Sequence, residues 1–345
     1  MKYYLQIAAV LLFFSCQAQE LVKSIRHNTQ KTTLLLDSAA ASRAILIDRY
    51  NHFFDLVTPC EMSIQMKKPL SSGDAQSRED FKRFLQKDME SFTAKESQWV
   101  AEVMKKVFET CNNVNPGIFP DSLILIKTKG NHYGDGVYYT RGNCIIIPAD
   151  IFEHRDRSEF TATMYHEVFH VYSRLHPEQQ KALYQLIGFE HIGLKNLEIP
   201  APLRDQILFN PDGVDFGQKI ALKISDTETI QAVPIIYANN NGYTKEKSSF
   251  FSYLEFNLFK ITPLSNDKWK VETQPDGLSS TLQIPQIPDF YRQIKDNTTY
   301  IIHPDEVLAD NFSFMMLDKE GKQISSKFSK EGKQLLKDIE VILKK

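Results

Sequence analysis

The stretch from Arg157 to Leu175 has the sequence RSEFTATMYHEVFHVYSRL. At about 100 degrees per residue, its apolar side chains cover most of the circumference of a helix, which is typical of a helix buried on nearly every side. These apolar residues are Phe160, Met164, Tyr165, Val168, Phe169, Val171, Tyr172 and Leu175. We expect the helix to begin near Arg157 and to end by Leu175, because Pro177 restricts the residue before it.

One narrow polar strip interrupts the apolar surface of this helix. It consists of Thr163, His166, Glu167, His170 and Arg174. The HExxH pattern from His166 to His170 places two imidazoles one turn apart on one face, where both can reach a single tetrahedral ion. The alternative is a pair of core histidines satisfied by hydrogen bonds, but burial of three ionisable groups without a charge partner is costly. The pattern therefore predicts a metal site.

Zinc is the cofactor that this pattern predicts, and electrostatics gives the chemistry. Zn²⁺ lowers the pKa of a ligated water to roughly 7. Glu167 follows His166 directly in the chain and is placed to accept the proton of that water, as a general base, while the oxygen attacks a carbonyl carbon. A peptide bond or another acyl bond is the expected target.

A third protein ligand must come from elsewhere in the chain, because catalytic zinc usually has three protein ligands and one water. The best candidate is Glu306, which forms with Asp310 an ExxxD spacing on one face of a second predicted helix. Pro304 suits the first position of that helix, and acidic residues in its first turn complement the helix dipole. We expect Asp310 to accept a hydrogen bond from His166 and so to fix its tautomer.

His176 is a rival for the position of third ligand. The spacing of His166, His170 and His176 matches the metzincin pattern HExxHxxGxxH, but Ser173 stands where that pattern has glycine. Glycine lets the chain turn sharply after the second ligand, whereas serine in a left-handed conformation is strained. We therefore favour Glu306, and His176 or a site completed by water remains the alternative.

HExxH followed much later by ExxxD is similar to the gluzincin group of zincin metallopeptidases. The resemblance covers the strand pair from Tyr139 to Pro148, the helix of His166 and the helix of Glu306. It implies an α+β, zincin-like metallopeptidase scaffold in which the later Glu completes the metal site, the Asp after it supports a histidine, and the edge strand pairs with extended substrate. Two departures are the gap of 136 positions between His170 and Glu306, and Asp305 in place of the usual asparagine.

A peptidase of this kind also needs a group that donates a proton or stabilises the transition state. Tyr300, Tyr291 and His303 are candidates, although tyrosine at such positions is more often part of the core. Arg141, in the turn between the two cleft strands, either contacts the substrate backbone or closes the hairpin. The sequence Asn210-Pro211-Asp212-Gly213 is typical of a tight turn, with a ligand-binding loop as the alternative.

The composition and the first residues limit partners and location. Lys and Arg number 41 against 43 Asp and Glu, so the formal net charge of -2 gives no electrostatic basis for binding nucleic acid or an acidic membrane. Lys2, followed by an apolar run from Ile7 to Phe14, predicts a secretory signal. Cys16 is the lipidated first residue if Phe13–Cys16 acts as a lipobox, and plain cleavage near Ala18 is the alternative. Both routes predict an exported protein, attached to a membrane only through a lipid at Cys16.

Export makes disulfides permissible for the three other cysteines. A bridge between Cys60 and Cys111 and three buried thiols are both compatible with the sequence. Cys144 lies in an apolar run, so we expect a packed strand residue and not a nucleophile.

We predict five consecutive regions. They are a signal peptide at 1–18, a helical N-terminal part at 19–115, a core with the edge strand and the HExxH helix at 116–217, an antiparallel β-rich insertion at 218–290, and a region with the third-ligand helix and a C-terminal helix at 291–345. In the N-terminal part, helices are expected from Gln30 to Leu56 and from Ser77 to Cys111.

The sequence thus predicts a zinc-dependent hydrolase, and specifically a metallopeptidase that acts on a peptide or protein substrate. The alternative is a surface-anchored binding protein with a structural or inactive zinc site, in which strands between Lys219 and Glu272 recognise a partner.

Overall fold

The computed structural model describes residues 23–70, 73–154, 156–247, 249–265 and 267–345. The predicted signal segment and Cys16 lie outside these residues. The described chain has a mixed α+β fold with two six-stranded sheets. Within the described ranges, none of the helices combines the length and the apolar character needed to cross a membrane.

The strands and helices are numbered in chain order. The strands are β1 (Lys23–Arg26), β2 (Thr32–Leu35), β3 (Met89–Glu90), β4 (Ser122–Thr128), β5 (Tyr139–Arg141), β6 (Cys144–Pro148), β7 (Phe189–His191), β8 (Leu197–Glu198), β9 (Gln218–Lys223), β10 (Thr229–Ala238), β11 (Leu254–Ser265) and β12 (Lys268–Val271). The helices are α1 (Ser38–Ala44), α2 (Phe53–Leu56), α3 (Pro59–Gln65), α4 (Ala75–Lys87), α5 (Ala94–Val114), α6 (Ile151–His154), α7 (Arg157–Leu175), α8 (Pro177–Leu186), α9 (Ala201–Asp205), α10 (Pro288–Ile294), α11 (Pro304–Lys319) and α12 (Lys330–Leu343).

The first sheet has the strand order β1-β2-β4-β6-β5, and β3 pairs with the end of β4. The central strands β2, β4 and β6 run parallel, whereas β5 is antiparallel to β6 and forms one edge. Gly142, with a φ of 58°, makes the turn between β5 and β6 possible, since this backbone conformation favours glycine. The predicted hairpin is confirmed, and so is the position of Cys144 as a buried strand residue.

The prediction of a continuous helix from Gln30 to Leu56 is wrong. Thr32–Leu35 is strand β2, which lies between β1 and β4 and buries Thr33 and Leu35. Its β-branched and apolar side chains fit a sheet interior, and pairing with β4, about ninety residues away in the chain, overrides the local helical pattern. The N-terminal part therefore contributes strands to the first sheet as well as helices.

The predicted helix from Ser77 to Cys111 is two helices, α4 and α5, separated by the short strand β3. A capping box accounts for the start of α5. The Thr93 hydroxyl accepts from the Glu96 amide, and the Glu96 carboxylate accepts from the Thr93 amide. These reciprocal bonds satisfy two amides that the helix itself leaves without partners, so they fix the point at which the helix begins.

The second sheet has the strand order β7-β9-β10-β11-β12-β8. All its pairs are antiparallel except β12 with β8, so the predicted β-rich segment is essentially antiparallel. Its predicted start at 218 is too late, because β7 and β8 come earlier in the chain. Within the segment, β11 begins at Leu254, and Phe250–Ser252 just before it is a 3₁₀ turn.

Helices α7 and α11 pack against each other at the centre of the largest hydrophobic core. The N-cap of α7 is Asp156, whose carboxylate accepts from two amides of the first turn, and the helix ends before Pro177. The rings of Phe169 and Phe312 lie 5.4 Å apart where the two helices meet. As predicted, α7 is buried over most of its surface and α11 begins at Pro304. This packing brings two segments distant in sequence to one place.

The cysteines Cys60, Cys111 and Cys144 are free and buried. Cys111 lies in the largest core, while Cys60 belongs to a separate cluster with Ile64 and Tyr253. Of the two alternatives from the sequence, the structure has the buried thiols.

Candidate metal centre

Three side chains from α7 and α11 converge on one point. The histidines His166 and His170 lie one turn apart on α7, and Glu306 lies in the first turn of α11. Glu306 Oε2 is 3.0 Å from His166 Nε2 and 3.2 Å from His170 Nε2. The three candidate ligand atoms all lie within 4.8 Å of one another. His170 and Glu306 are 1% exposed, so this is a buried cluster.

The geometry of this cluster fits a metal ion. Ligands at 2.0–2.1 Å from a tetrahedral ion lie roughly 3.4 Å from each other, close to the two measured separations. His170 Nε2 is buried and has no partner in good hydrogen-bond geometry, although Glu306 is near. A buried polar atom without a hydrogen bond is unfavourable in the absence of a ligand. The group of His166, His170 and Glu306 could therefore bind a metal ion.

A carboxylate holds each imidazole from behind. His166 Nδ1 donates to Asp310 Oδ1 at 2.9 Å, and His170 Nδ1 donates to Asp305 Oδ2 at 2.6 Å. Because an ionised carboxylate can only accept, each ring directs its Nδ1–H to the supporting carboxylate and its Nε2 toward Glu306, with His166 Nε2 at hydrogen-bond distance from Glu306 Oε2. The predicted contact between His166 and Asp310 is present. The support of His170 comes from Asp305, for which the sequence predicted only an interaction with the helix dipole.

Asp305 is the more deeply buried of the two supporting carboxylates, at 1% exposure. Its Oδ1 accepts from Ser173 Oγ at 2.5 Å and from the Tyr184 hydroxyl at 2.8 Å. Asp310 also accepts from the Thr298 hydroxyl, but about a quarter of its side chain is exposed. The orientation of His170 is therefore fixed more firmly than that of His166.

The other oxygen of Glu306 is also engaged. Asn210 Nδ2 donates to Glu306 Oε1 at 2.6 Å, which leaves Oε2 toward the imidazoles. Burial opposes ionisation of Glu306, yet His170 and His166 hold its pKa well below the usual range. Burial likewise opposes a charge on His166, yet hydrogen bonds to Asp310 and Glu306 raise its pKa to about 10. The ionised carboxylates of the cluster thus favour a positive charge at the position of the imidazoles.

Glu167 faces a cavity of about 420 Å³ at the metal cluster. The side chain is 4% exposed, and its Oε2 has no hydrogen-bond partner. Burial raises its pKa to about 8, reinforced by Asp212 and opposed by the two histidines. The cavity is lined by Asp135, Gly136, Val137, Tyr138, Ala162, Thr163, His166, Glu167, Asp212, Phe251, Tyr300, Glu306, Asp310, Ser313, Phe314 and Leu317.

Tyr300 is the one predicted proton-donor candidate that lines this cavity. Its ring is stacked against His166 with ring centroids 6.0 Å apart. The other candidates lie elsewhere: Tyr291 packs against Phe290 in the core, and His303 caps α11 by accepting from the Asp305 amide at 3.1 Å.

Arg141 does not line the cavity, so the structure does not support the substrate contact that was one of its two alternatives. Its guanidinium is buried over the rings of Phe53 and Phe54, 4.4 and 4.6 Å from their centroids. Cation–π packing against two rings of the N-terminal part accounts for this position, and the sequence around the hairpin does not reveal those partners.

His176 lies outside the cluster as well. Its Nδ1 donates to the Tyr172 carbonyl at 2.9 Å, and the residue joins α7 to α8. The helix continues past the point at which a third-histidine site would have to turn. Among the described residues, His166, His170 and Glu306 form the only group of three or more His, Cys, Asp or Glu side chains that could hold a metal ion.

The segment from Asn210 to Gly213 contributes to the site, although its sequence favours an ordinary turn over a ligand-binding loop. It is a tight turn, as predicted, because the Gly213 amide donates to the Asn210 carbonyl at 3.2 Å. It also brings Asn210 to Glu306 and Asp212 to the cavity of Glu167. Asn-Pro and Asp-Gly are ordinary turn chemistry, so no signal in the segment distinguishes this function.

Arg174 holds that turn in place. Its guanidinium donates to the carbonyls of Pro211 and Asp212, at 3.3 Å each, and to Thr140 Oγ1 at 2.9 Å. Burial lowers its pKa, while Asp212 opposes that shift. The last residue of the polar strip on α7 therefore supports the turn and not the metal ligands.

Asp212 also covers part of the edge strand β5. Its Oδ1 accepts from the Thr140 amide at 2.6 Å and from the Thr140 hydroxyl at 2.5 Å. The amide that β5 would offer to an extended substrate at this position is therefore occupied. Val137 and Tyr138, just before β5, line the cavity.

Comparison with known proteins gives no relative: no family model, no curated protein and no solved structure matches this chain. The functional argument therefore depends on the geometry of the site.

Proposed function

We propose that the protein is a zinc-dependent hydrolase, and specifically a metallopeptidase, with His166, His170 and Glu306 as metal ligands. The observation that supports this most is convergence: three ligand atoms meet beside a buried carboxylate oxygen, Glu167 Oε2, that has no partner of its own. His166, Glu167 and Glu306 also line one cavity that is large enough for part of a peptide, whereas His170 does not.

The donor set favours zinc over the other common divalent ions. Mg²⁺ and Ca²⁺ prefer oxygen ligands throughout, whereas two imidazoles and one carboxylate are a set typical of hydrolytic zinc. The two supporting carboxylates, Asp305 and Asp310, are also the kind of partner that zinc-ligating histidines usually have.

In this proposal the protein supplies a general base and a hydrogen-bonding group placed toward the reacting carbonyl. A bound zinc ion contributes Lewis acidity and lowers the pKa of its water ligand to roughly 7. Glu167 stands next to His166 and has a free, poorly hydrated oxygen, so it is placed to take a proton and return it to the leaving amine. Tyr300, stacked on His166, is placed to hydrogen-bond the developing oxyanion.

The test is the substitution Glu167→Gln, which keeps the size of the side chain and removes its basicity. With a mixture of internally quenched peptides, we expect kcat/KM to fall at least about 100-fold, because general-base catalysis contributes 10²–10⁴. Zinc content, measured by atomic emission, should stay at one per chain. Full activity in this variant contradicts the proposal.

The ligand assignment is tested separately with Glu306→Ala and the matched control His176→Ala. We expect zinc to be lost from the first variant and kept, with full activity, in the second. The opposite pattern contradicts the assignment. A wild-type protein that binds zinc and cleaves no peptide is the result expected for the binding-protein alternative.

A further inference from the structure

We propose that the substrate presents a cationic group to the cavity at the metal centre. Favoured substrates are then peptides with a free amino terminus or a Lys or Arg side chain near the scissile bond, and acidic peptides are disfavoured. This inference rests on the proposed function and specifies the substrate class of the same site.

The charges that line the cavity carry the inference. Five carboxyl groups line it, and none of its lining residues within the described chain is a lysine or an arginine. The five are those of Asp135, Glu167, Asp212, Glu306 and Asp310. Glu167 is left out of the balance, because burial raises its pKa to about 8. A bound dication offsets two of the four remaining negative charges, so the walls retain a negative potential that favours a cation and repels a carboxylate.

Two of these carboxylates are free for a ligand, whereas Glu306 and Asp310 face the histidines. Asp135 is exposed at the cavity mouth and pairs with no cation among the described residues. Asp212 uses Oδ1 for Thr140, and its Oδ2 makes no hydrogen bond with the described residues. Arg174 donates to the backbone carbonyls of the turn and makes no hydrogen bond with this carboxylate, although the two charges attract each other.

The unpartnered oxygen that supports the proposed function also points to a ligand in this cavity. Glu167 Oε2 is buried and has no partner, although a buried polar atom is normally satisfied. The neutral part of a substrate also has a place, because a mainly apolar cavity of about 50 Å³ adjoins the first and shares Val137, Tyr138, Asp212, Phe251 and Tyr300 with it. Asp212 thus lies at the boundary between the charged and the apolar space.

Matched peptides test the inference. A set of internally quenched peptides differs only in Lys, Gln or Glu at each position beside the scissile bond, with a free or acetylated amino terminus and an amidated carboxyl terminus. At 50 mM salt we expect kcat/KM to be at least about 10-fold higher for Lys than for Glu, and this ratio to shrink at 0.5 M salt because ions screen the interaction. Comparison of the acetylated peptides with the free ones shows whether the amino terminus or the side chain supplies the cation.

Carboxamide variants locate the effect. Asp212→Asn keeps an acceptor for Thr140 and removes the charge, so we expect the Lys-to-Glu ratio to fall several-fold, chiefly through a higher KM for Lys peptides. Asp135→Asn should lower the ratio less, since its side chain is more exposed. The control is Asp226→Asn, a fully exposed carboxylate on the loop between β9 and β10, which should change nothing.

Failure of this inference and failure of the proposed function give different results. Cleavage with no preference for Lys over Glu overturns the inference and leaves the function intact. If no peptide is cleaved, binding of labelled Lys and Glu peptides to the Glu167→Gln protein, followed by fluorescence anisotropy, still decides the inference. A second zinc per chain that disappears in Asp212→Asn also overturns it, because the carboxylates then serve a metal and not a substrate.

Discussion

Replacement of Asp305 by asparagine gives the sharpest test of how the metal centre is held together. Asp305 accepts from His170 Nδ1 at 2.6 Å, Ser173 Oγ at 2.5 Å and the Tyr184 hydroxyl at 2.8 Å, and it is 1% exposed. Asparagine has the same shape but offers one acceptor oxygen and an NH₂ group. If the oxygen stays with His170, the two hydroxyls must rotate to accept from the NH₂ group.

The expected effect is on metal affinity. Loss of a carboxylate behind a zinc-ligating histidine typically costs 10–100-fold in affinity, which corresponds to about 1.4–2.8 kcal/mol. Because Asp305 is buried and makes three hydrogen bonds, we expect Asp305→Asn to lie near the upper end of this range. Asp310→Asn should lie near the lower end, because Asp310 is partly exposed.

The assay is competition for zinc with a chromophoric chelator at fixed pH and ionic strength. Asp226→Asn is the matched control, and near-ultraviolet circular dichroism verifies that each variant keeps its tertiary packing. An affinity for Asp305→Asn within twofold of wild type would show that His170 does not depend on this carboxylate and would refute the reasoning. So would a larger loss for Asp310→Asn than for Asp305→Asn.

Three further predictions concern stability and location. Zinc at 1000 times its Kd should raise the free energy of unfolding by about 4 kcal/mol, because it binds only the folded chain; calorimetry with and without a chelator should show this for wild type and not for Glu306→Ala. Burial raises the pKa of Glu61 to about 8, so the folded state favours its protonated form. Wild type should therefore lose stability relative to Glu61→Gln as pH rises from about 4.5 to about 8, by at most about 1.4 kcal/mol per unit, in urea titrations across that range; an equal pH dependence for both proteins contradicts this. Cys16→Ala should release the protein from the membrane fraction of expressing cells, and unchanged fractionation contradicts lipidation at this residue.

The parts of the site that the sequence reveals are those encoded by short spacings. His166 and His170 are four residues apart, and Glu306 and Asp310 are four residues apart, so each pair is fixed by the geometry of one helix. The helix limits follow from local signals, such as Pro304 at the start of α11. The contact between the two helices can be predicted only by assuming that their side chains share one metal ion. The sequence of neither helix alone indicates that the other is its neighbour.

The parts that the sequence does not reveal depend on partners distant in the chain. Strand β2 is a strand because β4 lies beside it, and Arg141 is buried because Phe53 and Phe54 cover it. Asn210 and Asp212 join the site because Arg174 holds their turn against Thr140. In each case the local pattern is compatible with a more ordinary structure, and a tertiary contact decides between them.

The long interval between the two ligand-bearing helices has a mechanical consequence. All strands of the second sheet belong to the segment of the chain between α7 and α11. An ion bound by both helices would be a reversible cross-link between the two ends of that segment. Like a disulfide, it would close a large loop and restrict the unfolded chain. A protein nicked at the turn Asn239–Asn241 would then survive as two noncovalently joined fragments, and their separation would become easier once the ion is withdrawn.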